Sequence, residues 1–125
     1  MGGTVNPQIS IIIPTLNEQE NVSRLLSSLA AWQEQGDEVI VVDGGSSDQT
    51  VEQAIAADTV VKTRRGRALQ MNKGTTCCRG RIIWFLHADS NVQFFAREDI
   101  LNSISRGFDW GYFGIRIDAS EGIFR

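Results

Sequence analysis

Four short runs of β-branched and aliphatic residues alternate along the chain with segments whose apolar residues recur at three- and four-residue intervals. The first run, residues 8–14 (QISIIIP), ends at a proline and reads as a strand buried on both faces. Asn17 followed three residues later by Glu20 makes a capping-box-like helix start. Val22, Leu25, Leu26, Leu29 and Trp32 then keep helical spacing up to a stop at Gly36. A second strand is predicted over 38–43, closed by the turn Gly44, Gly45, Ser46, Ser47. Ser47 or Asp48 can cap a helix running to about Ala57, with Val51, Ala54 and Ile55 as its apolar face. A short strand over 59–62 and a small-residue helix over 67–78 come next. Residues 81–87 are the most apolar strand, with Trp84 and Phe85 expected in the core. After a loop, 95–105 predicts a helix and 112–118 a last strand.

Strands alternating with helices describe an α/β layered domain whose sheet is mostly parallel, with flanking helices. Ligands in such sheets bind at the carboxyl ends of the strands. Polar clusters fall at three of those ends: Thr15, Leu16, Asn17, Glu18; then Asp43, Gly44, Gly45, Ser46; then His87, Ala88, Asp89, Ser90. No repeat, low-complexity tract or linker interrupts the series, so residues 1–125 read as one domain.

Composition narrows the class without changing it. With 42% hydrophobic and 22% charged residues and only 2 prolines, disorder, collagen and coiled coil are excluded. The longest apolar runs, such as 82–86, fall far short of the roughly 20 residues a spanning helix needs. MGGTVNPQ lacks the basic start and apolar stretch of a signal peptide, and the 2 cysteines are the adjacent Cys77 and Cys78, so a reducing cytoplasm is the expected compartment.

Net charge is −3, which argues against general nucleic-acid affinity, but its placement is uneven. Lys62, Arg64, Arg65, Arg67, Lys73, Arg79 and Arg81 occupy one stretch with no acid between them, a positive field suited to a small phosphorylated ligand. Asp43 and Glu18 can accept hydrogen bonds from a base edge or a ribose. Gly44 and Gly45 let backbone come close to a ligand, and Asp89 offers a hard oxygen for Mg²⁺ or Mn²⁺. Neither G-x-G-x-x-G after the first strand nor G-x-x-x-x-G-K-[ST] anywhere is present. Local alternatives stay open: Asn17 as a helix cap, Asp43 as the acid opening the Gly-Gly turn, Asp48 as a cap, His87 as a loop histidine.

Together the strings SIIIPTLNEQENV, VIVVDGGSSDQT and GRALQMNKGTTCCRGRIIWFLHADS resemble the nucleotide-sugar-binding half of a family 2 glycosyltransferase with the Rossmann-like GT-A fold, in the variant with His-Ala-Asp in place of Asp-x-Asp. The resemblance implies a nucleoside site at Thr15, Asn17 and Glu18, a base acceptor at Asp43, a basic residue near the nucleotide at Arg67, and a metal ligand at Asp89. It departs at Gly44, where many relatives have a second acid, and at His87. Inverting, metal-dependent transfer from a nucleotide-diphosphate sugar to a sugar or lipid acceptor follows from it, as does a fold truncated at its C-terminus. Asp109, Asp118 and Glu121 come too early in the pattern for the general base, so no catalytic residue is assigned. A non-catalytic nucleotide-binding module is the alternative. An incomplete fold would expose Trp110, Phe113 and Phe124, which suggests homo-oligomers, and a full-length enzyme could associate peripherally with a membrane.

Overall fold

The computed structural model describes residues 6–93 and 96–107, and the backbone of Ile115, Arg116, Ile123 and Phe124. These fall into two compact units that divide between Val92 and Gln93. The first carries β1 (Ile9–Thr15), α1 (Val22–Ser28), α2 (Ala30–Glu34), β2 (Glu38–Asp43), α3 (Thr50–Gln53), β3 (Thr59–Lys62), α4 (Arg67–Cys77) and β4 (Ile82–Phe85). In the second, α5 (Ala96–Ser105) is followed by β5 (Ile115–Arg116) and β6 (Ile123–Phe124), an antiparallel pair.

All four strands of the first unit are parallel, in the order β3-β2-β1-β4. Direction reverses at β1: the chain moves outward through β2 and β3, then crosses back to place β4 on the other side. The carboxyl ends of β1 and β4 therefore flank the switch point where open α/β sheets bind ligands. Parallel register puts Ile12, Val42, Val61 and Phe85 on one face and Ile11, Val41 and Trp84 on the other. On the first face α4 packs against β1 and β2, and Cys77 and Cys78 close over Ile12, Ile40 and Val42. On the second, Trp32 of α2 stacks on Trp84 with ring centroids 5.1 Å apart. Val22, Leu25, Leu26 and Leu29 are buried in the same layer as Trp32.

Several sequence expectations change here. The helix expected from Asn17 starts at Val22, with Asn21 at the cap position and no side-chain cap, and it breaks at Leu29 into α1 and α2. Gly36, at φ 100°, ends it as expected. The helix expected to reach Ala57 is a single turn, too short for an apolar face, and Ile55 is 87% exposed. Phe85 is not core: β4 lies at the border of the described sheet and α4 covers β1 and β2, so Ile83 and Phe85 are 38% and 40% exposed. Of the strand expected over 112–118, only Ile115 and Arg116 are described; Trp110, Phe113, Asp109, Asp118 and Glu121 lie outside the described residues. Among those described, no helix is long and apolar enough to cross a membrane.

Gly74 sets how closely α4 approaches the sheet. A Cβ there would overlap the Ile12 Cγ2 methyl and come within 3.2 Å of Val42 Cγ2. Ile12 sits in a central strand and cannot retreat. Gly74→Ala should therefore incur about 3 kcal/mol of overpacking, offset by about 1 kcal/mol of helix propensity. A net loss of about 2 kcal/mol in urea unfolding is the expected outcome.

Candidate functional site

The polar clusters at the ends of β1 and β2 are laced together. Thr15 Oγ1 donates to Asp43 Oδ1 at 2.8 Å across the register pair that ends both strands. Asn17, with φ 55°, adopts the left-handed conformation that asparagine tolerates best among non-glycine residues. Its N–H donates to Ser46 Oγ and its Oδ1 accepts from the Ser47 N–H, both at 2.8 Å. The residue expected to cap a helix instead clamps two loops. Behind it the Glu18 N–H donates to Thr50 Oγ1 at 2.8 Å, and the Gln49 N–H donates to Gln19 Oε1 at 2.9 Å. Asp48 is no cap of α3 either, since Gln49 holds the cap position. Its Oδ1 accepts from the Thr50 N–H two residues on, an Asx turn, and from the Thr50 hydroxyl.

Asp43 organises the second loop. Its Oδ1 accepts from Thr15 Oγ1 and, at 2.6 Å, from Ser46 Oγ; its Oδ2 accepts from the Gly45 and Ser46 N–H groups at 3.0 and 2.7 Å. Those four bonds fill the acceptor capacity of a carboxylate that is 1% exposed. Burial pushes the carboxyl up, but the Ser46 hydroxyl and N–H, the Thr15 hydroxyl and the Gly45 N–H outweigh it and hold the group below its ordinary 3.8. The geometry is that of a turn organiser, whereas the resemblance implies a base acceptor at this position. Glu18 is half-buried, and the bond that Asn21 Nδ2 donates at 3.0 Å takes only its Oε1.

On the other side of β1, a shallow hollow is lined by Pro14, Arg67, Met71, Phe85, Leu86 and His87. It opens at the switch point. Arg67, the first residue of α4, reaches His87 Nε2 at 2.8 Å. A guanidinium has no acceptor, so Nε2 accepts and the ring proton sits on Nδ1. Past His87 the chain turns, with the Ser90 N–H donating to the His87 carbonyl at 3.1 Å. Asp89 stands exposed in the third place of that turn, its side chain without a hydrogen-bond or ion-pair partner among the described residues.

The basic stretch is divided by the fold. Because α4 runs back along the sheet for about 16 Å, Lys62, Arg64, Arg65 and Arg67 stay at the carboxyl ends of the strands, whereas Arg79 and Arg81 reach the amino ends. There Arg79 pairs with Glu38 at 3.4 Å, and Glu38 also accepts from Ser10 Oγ. Among the described residues the four cations at the carboxyl end have no carboxylate partner.

Whether this end of the sheet fits a divalent cation depends on its donors. No group of three or more His, Cys, Asp or Glu converges among the described residues, so these form no preformed cage. One exposed carboxylate in the turn whose His87 meets the Arg67 guanidinium does fit Mg²⁺ or Mn²⁺ of the kind that takes most of its ligands from substrate phosphates and water. Sequence reasoning missed Gln70, which is 5% exposed on the first turn of α4 and bonded to the ends of both β1 and β2. The only signal was a polar residue at a helix position that faces the sheet.

The family model described as glycosyl transferase family 2 matches residues 10–124. A PGL/p-HBAD biosynthesis glycosyltransferase of Mycobacterium tuberculosis is 38% identical over 95 residues, 69% of this chain and 37% of its own length. Among solved structures, glucosyl-3-phosphoglycerate synthase of M. tuberculosis, in complex with Mn²⁺, UDP and glucosyl-3-phosphoglycerate, superposes with a TM-score of 0.68 at 25% identity, over 78% of this chain and 39% of its own. TarS of S. aureus in complex with UDP-GlcNAc shares the fold at 24% identity and a TM-score of 0.68, over 79% and 31%. The chain thus spans less than two fifths of the length of each of these relatives.

Proposed function

We propose, on the premise that this chain belongs to glycosyl transferase family 2, that the carboxyl end of its sheet binds a nucleotide-diphosphate sugar for transfer to a hydroxyl of a sugar or lipid acceptor. One observation carries the reading: the exposed Arg67, which has no carboxylate partner among the described residues, reaches His87 at the switch point of a parallel sheet, in the turn that carries the exposed, unpaired Asp89, and two neighbouring loops are locked together by side-chain hydrogen bonds. Phosphate groups and a divalent cation are the chemistry that such a surface suits.

In this reading Thr15, Asn17 and Asp43 hold the nucleoside loops in shape, and the free oxygen of Glu18 accepts from the nucleoside. Arg67, as an all-donor group at the start of α4, leaves His87 for the diphosphate and stabilises the charge that grows there as the sugar departs. Asp89 would hold Mg²⁺ or Mn²⁺, which when bound supplies further neutralisation of the leaving diphosphate. Attack by the acceptor on the face opposite the leaving group inverts the anomeric carbon, and its hydroxyl proton needs a base within hydrogen-bond reach. No described residue is assigned that role. Mn²⁺ with UDP in the synthase structure and UDP-GlcNAc in TarS support the donor and metal classes.

A thermal-shift panel of UDP, GDP and dTDP, each with and without Mn²⁺, tests the reading. At a hundredfold excess over Kd, one of them with Mn²⁺ should stabilise the fold by about 2.7 kcal/mol, which is about 10 °C for a chain of this size. The absence of any shift across the panel overturns it.

A further inference from the structure

We propose that Gln70 is a positioning residue of the donor site: its buried amide ties the start of α4, and with it Arg67, to the loops after β1 and β2. Its functional meaning rests on the donor-site reading above, while the positioning is a property of the free protein. Gln70 Nε2 donates to the Thr15 carbonyl at 2.9 Å and to the Val42 carbonyl at 3.0 Å, and Oε1 accepts from the Gly66 N–H at 3.1 Å. Both amide protons and one oxygen lone pair are used, on partners from three separate stretches of chain.

Two of those partners are the carbonyls at the ends of the central strands, and the third immediately precedes Arg67. Gly44 completes the joint. A Cβ at that position would stand 2.7 Å from Gln70 Oε1 and 3.0 Å from Arg65 Cα, so the amide and the β3–α4 loop occupy the space a side chain would need. The Gly44 N–H meanwhile donates to the Thr15 carbonyl at 2.9 Å, the same oxygen that Gln70 uses. Thus Gly44 and Gln70 form one interlocked contact. From it the path runs through Gly66 to Arg67 and on to His87 Nε2. Loss of the amide bonds should let the first turn of α4 shift, which displaces Arg67 from His87 and loosens the β2 loop.

The full chain is compared by ¹H–¹⁵N NMR at one pH as wild type, Gln70→Met, Gln70→Asn and Leu29→Ala, the last a core truncation in the opposite helical layer. His87 is the chain's single histidine, so its ring signals are unambiguous. Either Gln70 variant should move the His87 ring signals and the Gly45, Ser46 and Ser47 amides, with Ile12 and Val41 in place. Leu29→Ala should leave His87 and that loop as in the wild type. The two Gln70 variants should also weaken binding of UDP, GDP or dTDP with Mn²⁺ by about tenfold or more, as loss of groups that orient ligand-binding side chains does. Unmoved His87 and loop signals in a folded Gln70 variant overturn the proposal. So does a failure of both Gln70 variants to fold under conditions where Leu29→Ala folds, since Gln70 would then serve stability alone. If the wild type binds none of the three nucleotides, the donor-site reading falls while the NMR comparison still decides the positioning.

Discussion

Asp89→Asn should abolish the Mn²⁺-dependent part of nucleotide binding while leaving the free protein as stable as the wild type. Asp89 is exposed, and its turn is closed by the backbone bond from Ser90 to His87, so its removal orphans no buried group. Stability should change by no more than about 0.5 kcal/mol. What disappears is the formal charge. An amide oxygen of the same shape is a poor ligand for a hard dication that must also approach a diphosphate. In a melting experiment the increment that Mn²⁺ adds to the nucleotide shift should vanish, and the metal-free shift should persist through Arg67. In a chain that performs transfer, the rate should drop by about 10²–10³, the range seen when a group that stabilises transition-state charge is removed. An unchanged Mn²⁺ increment in Asp89→Asn assigns the metal elsewhere.

The second large effect is on stability. Asp43→Ala should lose about 3 kcal/mol in urea unfolding at pH 7, because the Gly45 and Ser46 N–H groups and the Thr15 and Ser46 hydroxyls are left without their acceptor. Asp43→Asn should lose only about 1 kcal/mol. Its single oxygen can face the two N–H donors, and its NH₂ can face the two hydroxyls, which rotate to accept. Acid separates the same variants. The native carboxyl is held below 3.8, so the unfolded state binds the proton more readily. The stability from this group is complete above the unfolded value and is lost as pH falls through the lower folded one. Wild type should therefore weaken more than Asp43→Asn between pH 5 and pH 2. Parallel loss in both would place the acid sensitivity in other carboxylates.

Much of the architecture was legible in the order of residues, for local reasons. Alternating β-branched runs and helical spacings record which face of each segment is buried, and short connections with right-handed crossovers leave few ways to arrange them. This located three polar clusters at one end of a parallel sheet, where Thr15, Asn17, Glu18, Asp43, Arg67 and Asp89 are found. Local pattern failed where a neighbour from far along the chain decided the outcome. Asn17 looked like a cap because Glu20 follows three residues later, but a loop 30 residues on offered its side chain a better donor. Phe85 looked like core because its strand is apolar, yet no sequence pattern says which strand lies at the border of the described sheet.

The amino-acid order by itself determined the α/β class, the strand ends that carry chemistry and the family to which the chain belongs, since each depends on burial periodicity or contiguous motifs. Only the tertiary structure decided how those ends work together. It filled the Asp43 carboxylate with protein donors, sent Arg79 to the opposite end of the sheet, and set Gln70 between carbonyls 28 and 55 residues away. Hydrogen bonds over such separations depend on strand register and helix placement, and these are settled when distant apolar faces pack together.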